Sequence, residues 1–155
     1  MSGKIPKTAV GNMIRREPVR LKPSSVLGDV IVAMKTQERG AAIVEDDNRK
    51  PVGIVTEHDF RTKLDHSSLD WHSHTVDSIM NTKPKTIKSS QFLHEALALM
   101  ISCKFRHVPV TDDNDQVITI LSIRDIIIYM AKLYPQEFLN LPPDPHTESS
   151  GRYGG

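Results

Sequence analysis

The feature that most constrains this chain is that it says nearly the same thing twice. A gapless offset of 66 residues pairs Thr56-Glu57-His58-Asp59 with Ser122-Ile123-Arg124-Asp125, Val10 with Val76, Pro18 with Pro84, Leu27 with Leu93 and Met34 with Met100. It also pairs Asp46-Asp47-Asn48 with Asp112-Asp113-Asn114. A repeat of roughly sixty residues is one supersecondary unit, too small to bury its apolar face comfortably alone. Two copies related by an approximate twofold are expected to share one core and to present two equivalent clefts. That geometry suits ligand sensing better than chemistry.

Within each copy the periodicity changes in a fixed order. Ser24-Ser25 precede Val26, Leu27, Val30, Ile31 and Met34, and Ser89-Ser90 precede Phe92, Leu93, Ala96, Leu97 and Met100. Each is an i, i+3, i+4 stripe opened by a plausible serine cap, the pattern of an amphipathic helix. Two short apolar runs follow, Ala41–Val44 and Pro51–Val55 in copy one, Val108–Val110 and Val117–Leu121 in copy two. Polar turn residues separate them, which predicts a hairpin or short crossover. A second helix is expected to start at Thr56 or Ser122, so the order is strand, helix, strand, strand, helix.

That order and these words resemble the CBS domain, and the tandem arrangement resembles a Bateman module. The phrases that carry the likeness are Val76-Asp77-Ser78-Ile79-Met80 with Pro84 and Thr86, then Phe105-Arg106-His107-Val108-Pro109-Val110, then Ile120-Leu121-Ser122-Ile123-Arg124-Asp125. Copy one answers with Pro18, Ala41-Ala42-Ile43-Val44 and Gly53-Ile54-Val55-Thr56-Glu57-His58-Asp59. The resemblance implies an α/β (α+β) fold of two β-α-β-β-α repeats related by a pseudo-twofold. It divides the chain into repeat 1 at 8–65, a linker at 66–75, repeat 2 at 76–133 and a C-terminal tail at 134–155.

The chemistry of the repeated motif can be argued from its residue types. A Thr or Ser at a strand-to-helix junction caps the helix and leaves backbone N–H groups and the positive dipole end facing outward, where a phosphate would sit. An Asp one turn in is an acceptor-only group suited to a ribose diol, and the intervening His58 or Arg124 adds a phosphate partner. Thr56, His58 and Asp59, with Ser122, Arg124 and Asp125, thus read as two sugar-phosphate grips. The resemblance assigns the same ribose and phosphate roles to the Asp and the Thr or Ser. Ile54 with Ala41-Ala42, and Ile120 with Val108, are the candidate apolar slots for adenine, with backbone near Arg20-Leu21 and Thr86-Ile87 meeting its edge. The competing reading is that both motifs are relatives of the capping box and merely start helices. Arg106 and His107, just ahead of a strand, are expected beside the second grip. His58 answers to Arg124 and Arg39-Gly40 to Phe105-Arg106, so the Asp125 cleft is expected to bind anionic nucleotide more tightly.

Composition narrows the function classes. With 20 Lys+Arg against 19 Asp+Glu the net charge is +1, which supplies no global drive toward nucleic acid or an acidic membrane. Lys4, Lys7, Arg15, Arg16, Arg20 and Lys22 face only Glu17 in the first 22 residues, a basic arm that is either a solvated tail or leans over a phosphate site. The single Cys103 excludes an internal disulfide and reads as a buried structural thiol among Leu99, Met100 and Phe105. No apolar run approaches the roughly twenty residues of a membrane span, and a cytoplasmic location is the default. His66, His72 and His74 with Asp65 and Asp70 sit in a linker without metal-site spacing, and the Asp46 and Asp112 clusters lack the Gly and distal Glu of a calcium loop. Trp71 is expected to lie over the inter-repeat core, and the Pro- and Gly-rich tail to be extended.

No nucleophile with a base at recognisable spacing, phosphate loop or metal motif is present, so the chain reads as a non-enzyme that needs no cofactor. The leading expectation is a stand-alone sensor that binds an adenine nucleotide, AMP, ADP or ATP, or another adenosyl compound, and regulates a protein effector in trans. Apolar helix stripes are expected to form a homodimer surface. Nucleic-acid binding or a pure protein-interaction scaffold is the alternative, and no membrane association is expected.

Overall fold

The computed structural model describes residues 7–13, 16–67 and 70–136. Copy one runs β1 (Val19–Leu21), α1 (Leu27–Thr36), β2 (Ala41–Glu45), β3 (Pro51–Thr56) and α2 (Glu57–Thr62). Copy two runs β5 (Ile87–Lys88), α3 (Leu93–Cys103), β6 (His107–Thr111), β7 (Val117–Ser122) and α4 (Ile123–Leu133), preceded by a two-residue strand, β4 (Asn81–Thr82). The expected β-α-β-β-α order therefore holds in both copies. Strands β1 to β4 form one sheet and β5 to β7 a second. In each, the first strand pairs parallel with the next, and β2–β3 and β6–β7 are antiparallel hairpins. The chain divides into two compact units, Met1–Ile123 and Arg124–Gly155, the second carrying nearly all of α4. Among the described residues no helix is long and apolar enough to cross a membrane.

The sequence repeat is also a repeat of local devices. Asp46 Oδ1 accepts the N–H groups of Asn48 and Lys50, each at 2.9 Å, and Asp112 Oδ1 accepts those of Asn114 at 2.9 Å and Gln116 at 3.0 Å. These carboxylates close the two hairpins as Asx turns, which accounts for the acidic clusters without a calcium ion. Beyond α1 and α3 the chain turns through left-handed residues, Glu38 at φ 53° and Lys104 at φ 57°. The following amides, of Arg39 and Phe105, then return to Met34 O at 2.8 Å and Met100 O at 3.0 Å. Both are Schellman closures built without the usual glycine.

The helix starts depart from expectation. Ser24 and Ser25 do not cap α1: its N-cap is Val26, with no side-chain cap, and Ser25 Oγ instead accepts the Lys22 amide at 3.0 Å. The free amides at the start of each helix are satisfied by the other copy's leading segment. Leu27 N–H donates to His74 O at 2.9 Å and Leu93 N–H to Thr8 O at 3.0 Å. In return Val76 N–H donates to Ser25 O and Val10 N–H to Gln91 O, both at 2.8 Å. Every one of these pairs maps onto its counterpart by the 66-residue offset. The exchange is reciprocal, and it ties each repeat to the other by backbone bonds.

The exchange also builds the core. Val76 and Ile79 from the start of copy two join Val19, Leu27, Val30, Val44 and Val55 in one apolar cluster. Trp71 packs against it and stacks on Phe60 with ring centroids 6.4 Å apart. Every residue of β2 is buried, which is why that run is continuously apolar until Glu45 and not alternating. Leu27 and Leu93 are fully buried, and truncating either to Ala would cost about 2–5 kcal/mol.

Candidate functional site

Thr56 ends β3 in an extended conformation and opens α2 as its N-cap. Asp59, buried at 3% exposure, sits one turn in and faces back toward the cap. Its Oδ2 accepts the Thr56 amide at 2.8 Å, the Thr56 hydroxyl at 3.2 Å and the Asn81 Nδ2 group at 3.0 Å. The Lys63 ammonium lies 3.1 Å from Oδ1 and also donates to Ile79 O at 3.0 Å and Asn81 Oδ1 at 2.9 Å. The local capping described for this motif is thus present, and it is extended by a network reaching β4 of the second copy. At six residues α2 is too short for a strong macrodipole, so attraction for an anion here falls to side-chain charge.

A cleft of about 880 Å³ opens on this network. Ile54, Thr56, His58 and Asp59 line it from copy one, and Thr82 to Lys85 together with Cys103 to His107 and Pro109 from copy two. Gly40 brings the copies close: a Cβ there would stand 3.4 Å from His107 Nε2 and 3.8 Å from Glu57 Oε2. Arg106 and His107 border the Asp59 cleft, and they also adjoin the second motif, as the sequence placed them: His107 pairs with Ser122, and Arg106 O accepts the Ile123 amide at 2.9 Å. Arg106 therefore no longer distinguishes the two clefts, and the expected ranking rests on Arg124 against His58 alone.

The adenine-slot residues also separate. Ile54 lines the large cleft, while Ala41 and Ile120 line a small indentation with Arg16, Glu17, Pro18, Arg39 and Thr119. That group is the sequence counterpart of part of the large cleft, again drawn from both copies. Arg20, Leu21, Ala42, Thr86, Ile87 and Val108 line neither. Leu21, Ala42, Ile87 and Val108 are core residues. Arg20 is held by Glu17 at 2.7 Å, Glu45 at 2.9 Å and Val117 O at 2.8 Å. Burial by itself would lower its pKa, but the bonds to the two carboxylates hold it above the ordinary arginine value. Ser122 ends β7, and Arg124 and Asp125 stand in the first turn of α4, in the second unit.

Several cleft residues were missed in the sequence: Arg61, Lys63, Lys83, Lys85 and Lys104. The Lys-Pro-Lys run around Pro84 was their one visible signal. Cys103 is half-buried and lines the cleft, because the register of α3 turns Met100 inward and leaves Cys103 on the cleft side. Lys4 and Arg15 of the basic arm, and the tail beyond residue 136, lie outside the described residues. Among the described residues no three His, Cys, Asp or Glu side chains are grouped to hold a metal. His66 Nε2 meets Phe60 O at 2.8 Å and His74 Nδ1 meets Asp70 O at 3.0 Å.

Two β-α-β-β-α repeats that exchange their leading segments and share inter-repeat clefts define a class of paired ligand-binding folds. The CBS domain model matches residues 10–66 and 76–132, and the chain belongs to the CBS domain family as a tandem pair. A protein of Methanopyrus kandleri is 25% identical over 119 residues, covering 77% of this chain, and the chain spans 61% of that relative's length. A CBS domain protein of Pyrobaculum aerophilum, solved in complex with AMP, is 25% identical with a TM-score of 0.73, over 86% of this chain and all of that one. The CBS pair of a Methanocaldococcus jannaschii protein, solved with 5′-methylthioadenosine and S-adenosyl-L-methionine, shares the fold at 20% identity, with a TM-score of 0.71 over 85% of this chain and 99% of that one.

Proposed function

We propose that this chain is a regulatory module that binds an adenine nucleotide in the Asp59 cleft and communicates its occupancy to a partner protein. The observation that carries the reading is the cleft itself, large enough for a nucleotide and bordered by cations from both repeats. AMP in the Pyrobaculum relative supports the choice of ligand. A ligand seated there touches α2 of one repeat and the α3–β6 connection of the other, so it favours whichever relative placement of the repeats closes on it. Occupancy at a hundredfold above Kd would stabilise that placement by about 2.7 kcal/mol. Exposed Val32 on α1 and Ile101 on α3, at 63% and 75% exposure, offer apolar contact for a second copy.

Calorimetric titration with AMP, ADP, ATP, S-adenosylmethionine and NADH tests the reading. A micromolar Kd, about −8 kcal/mol, that weakens at least tenfold in Arg106→Gln supports it. Absence of heat across the panel sinks it and favours a protein-interaction scaffold.

A further inference from the structure

We propose that each copy of this chain takes a single ligand, in the Asp59 cleft, and that the counterpart cleft related to it by the 66-residue offset is built shut. This rests on the nucleotide reading and deepens it by fixing how many molecules bind and where. The first ground is space. Ile54 and Pro84 line the cleft of about 880 Å³, whereas their counterparts Ile120 and Pro18 line an indentation of about 10 Å³, room for no more than one water. Gly53 of β3 pairs with Thr82 of β4, and a Cβ on it would run into Met80. The matching residue of β7 is Thr119, whose buried hydroxyl donates to Arg16 O at 2.9 Å. Arg16 is the counterpart of Thr82, so a side-chain bond stands where the first copy has a strand pairing. The same segment is tied again at Arg20, whose guanidinium reaches Val117 O at 2.8 Å and Glu45 at 2.9 Å. The backbones differ too: Lys83 is left-handed at φ 52°, and its counterpart Glu17 is not. Residues 16–20 are thus strapped to β7, and a ligand entering beneath them would take from a buried hydroxyl a partner that water does not replace.

The second ground is charge. Segments 82–85 and 104–105, which border the Asp59 cleft, carry Lys83, Lys85 and Lys104 and no acid. Their counterparts, 16–19 and 38–39, set Arg16 and Arg39 against Glu17 and Glu38. At two matched positions a lysine has become a glutamate, Lys83 at Glu17 and Lys104 at Glu38. Glu17 lines the indentation, where its carboxylate accepts from Arg20 Nε at 2.7 Å and so neutralises a cation that a phosphate would need. An anionic ligand is drawn to the first cleft by an uncompensated local field and gains no such attraction at the second. Arg124 in place of His58 adds fixed charge to the second motif but no room. The order of the two clefts is therefore the reverse of the one expected from Arg124.

The test is calorimetry on the full chain with AMP and with ATP, read for stoichiometry as well as affinity, at about 0.15 M salt, where exposed charge is screened beyond roughly 8 Å. One molecule per chain is expected, with no second event within about a hundredfold of the first Kd. Lys83→Gln/Lys85→Gln is expected to weaken that event at least tenfold, and Glu17→Gln to leave Kd within about threefold and add no second site. These side chains are exposed, and an unchanged melting temperature verifies each fold. Should Glu17→Gln fail to fold, the stoichiometry of the unsubstituted chain decides. Two molecules per chain, full affinity in the lysine variant, or tighter binding in Glu17→Gln by more than about threefold overturns the inference and leaves a nucleotide-binding protein. No binding of either nucleotide overturns the nucleotide reading and this inference with it.

Discussion

Replacing Asp59 by Ala separates a structural carboxylate from one reserved for a ligand. The substitution removes the acceptor of the Thr56 amide, which at an N-terminal cap is worth about 1 kcal/mol. It also removes the bond from Asn81 Nδ2, worth about another 1 kcal/mol. The Lys63 pair adds at most about 1 kcal/mol, because the lysine is 39% exposed and solvent screens it. The contributions share partners and will not add in full, so the expected loss is about 2–3 kcal/mol in the absence of any ligand. For a chain of 155 residues that lowers the melting temperature by about 4–12 °C. Thermal melts and urea titrations followed by circular dichroism, with Asp59→Asn as a control that keeps one acceptor for the Thr56 amide, provide the measurement. A ligand-free loss below about 0.5 kcal/mol, the size of an ordinary surface substitution, would refute the network and leave Asp59 to the ligand alone.

Lys104→Gly should raise stability by about 1 kcal/mol by placing glycine at a left-handed helix terminus, and should weaken ATP binding in the same protein; a melt and a titration on one sample check both halves. Gly53→Ala puts a Cβ onto Met80 Sδ, 2.9 Å from its Cγ and 3.3 Å from Asn81 O, so a loss of about 1–2 kcal/mol in urea unfolding is expected as β4 is pushed from β3. Thr119→Val deletes the 2.9 Å bond from a buried hydroxyl to Arg16 O and should cost about 1–2 kcal/mol by the same assay. Glu95 is held below the ordinary glutamate range, first by the Phe92 backbone N–H at 2.8 Å and then by the Gln91 amide. A carboxylate depressed in the folded state stabilises above its ordinary value near 4.5 and loses that contribution as pH falls. Glu95→Gln should therefore flatten the decline in melting temperature below about pH 4.5, and an unchanged acid limb would contradict the assignment.

Much of the fold was legible because its causes are local. The stripes ending at Met34 and Met100, the Asp-rich turns and the β-rich runs on either side each carry their own period or turn chemistry. The helix starts were misread at Ser24-Ser25 because a serine cap is itself a local signal, whereas the groups that satisfy those amides are carbonyls of Thr8 and His74, remote in sequence. Strand β4 was missed for a related reason: two residues show no alternation, and Asn81 and Thr82 are a strand because β3 lies beside them.

The site divides along the same line. By itself the sequence determined that there are two copies of a Thr/Ser-x-x-Asp motif at strand-to-helix junctions, since spacing and residue type suffice for that. Only the tertiary structure decided what surrounds the first of them. Arg106, His107, Lys83 and Lys85 border the Asp59 cleft from the other copy, a proximity that no offset or periodicity encodes. It also gave Asp59 a partner from that copy, because Asn81, 22 residues away, arrives on a strand that the sequence does not announce. Local pattern specifies which groups exist, and packing of one repeat against the other specifies which of them meet.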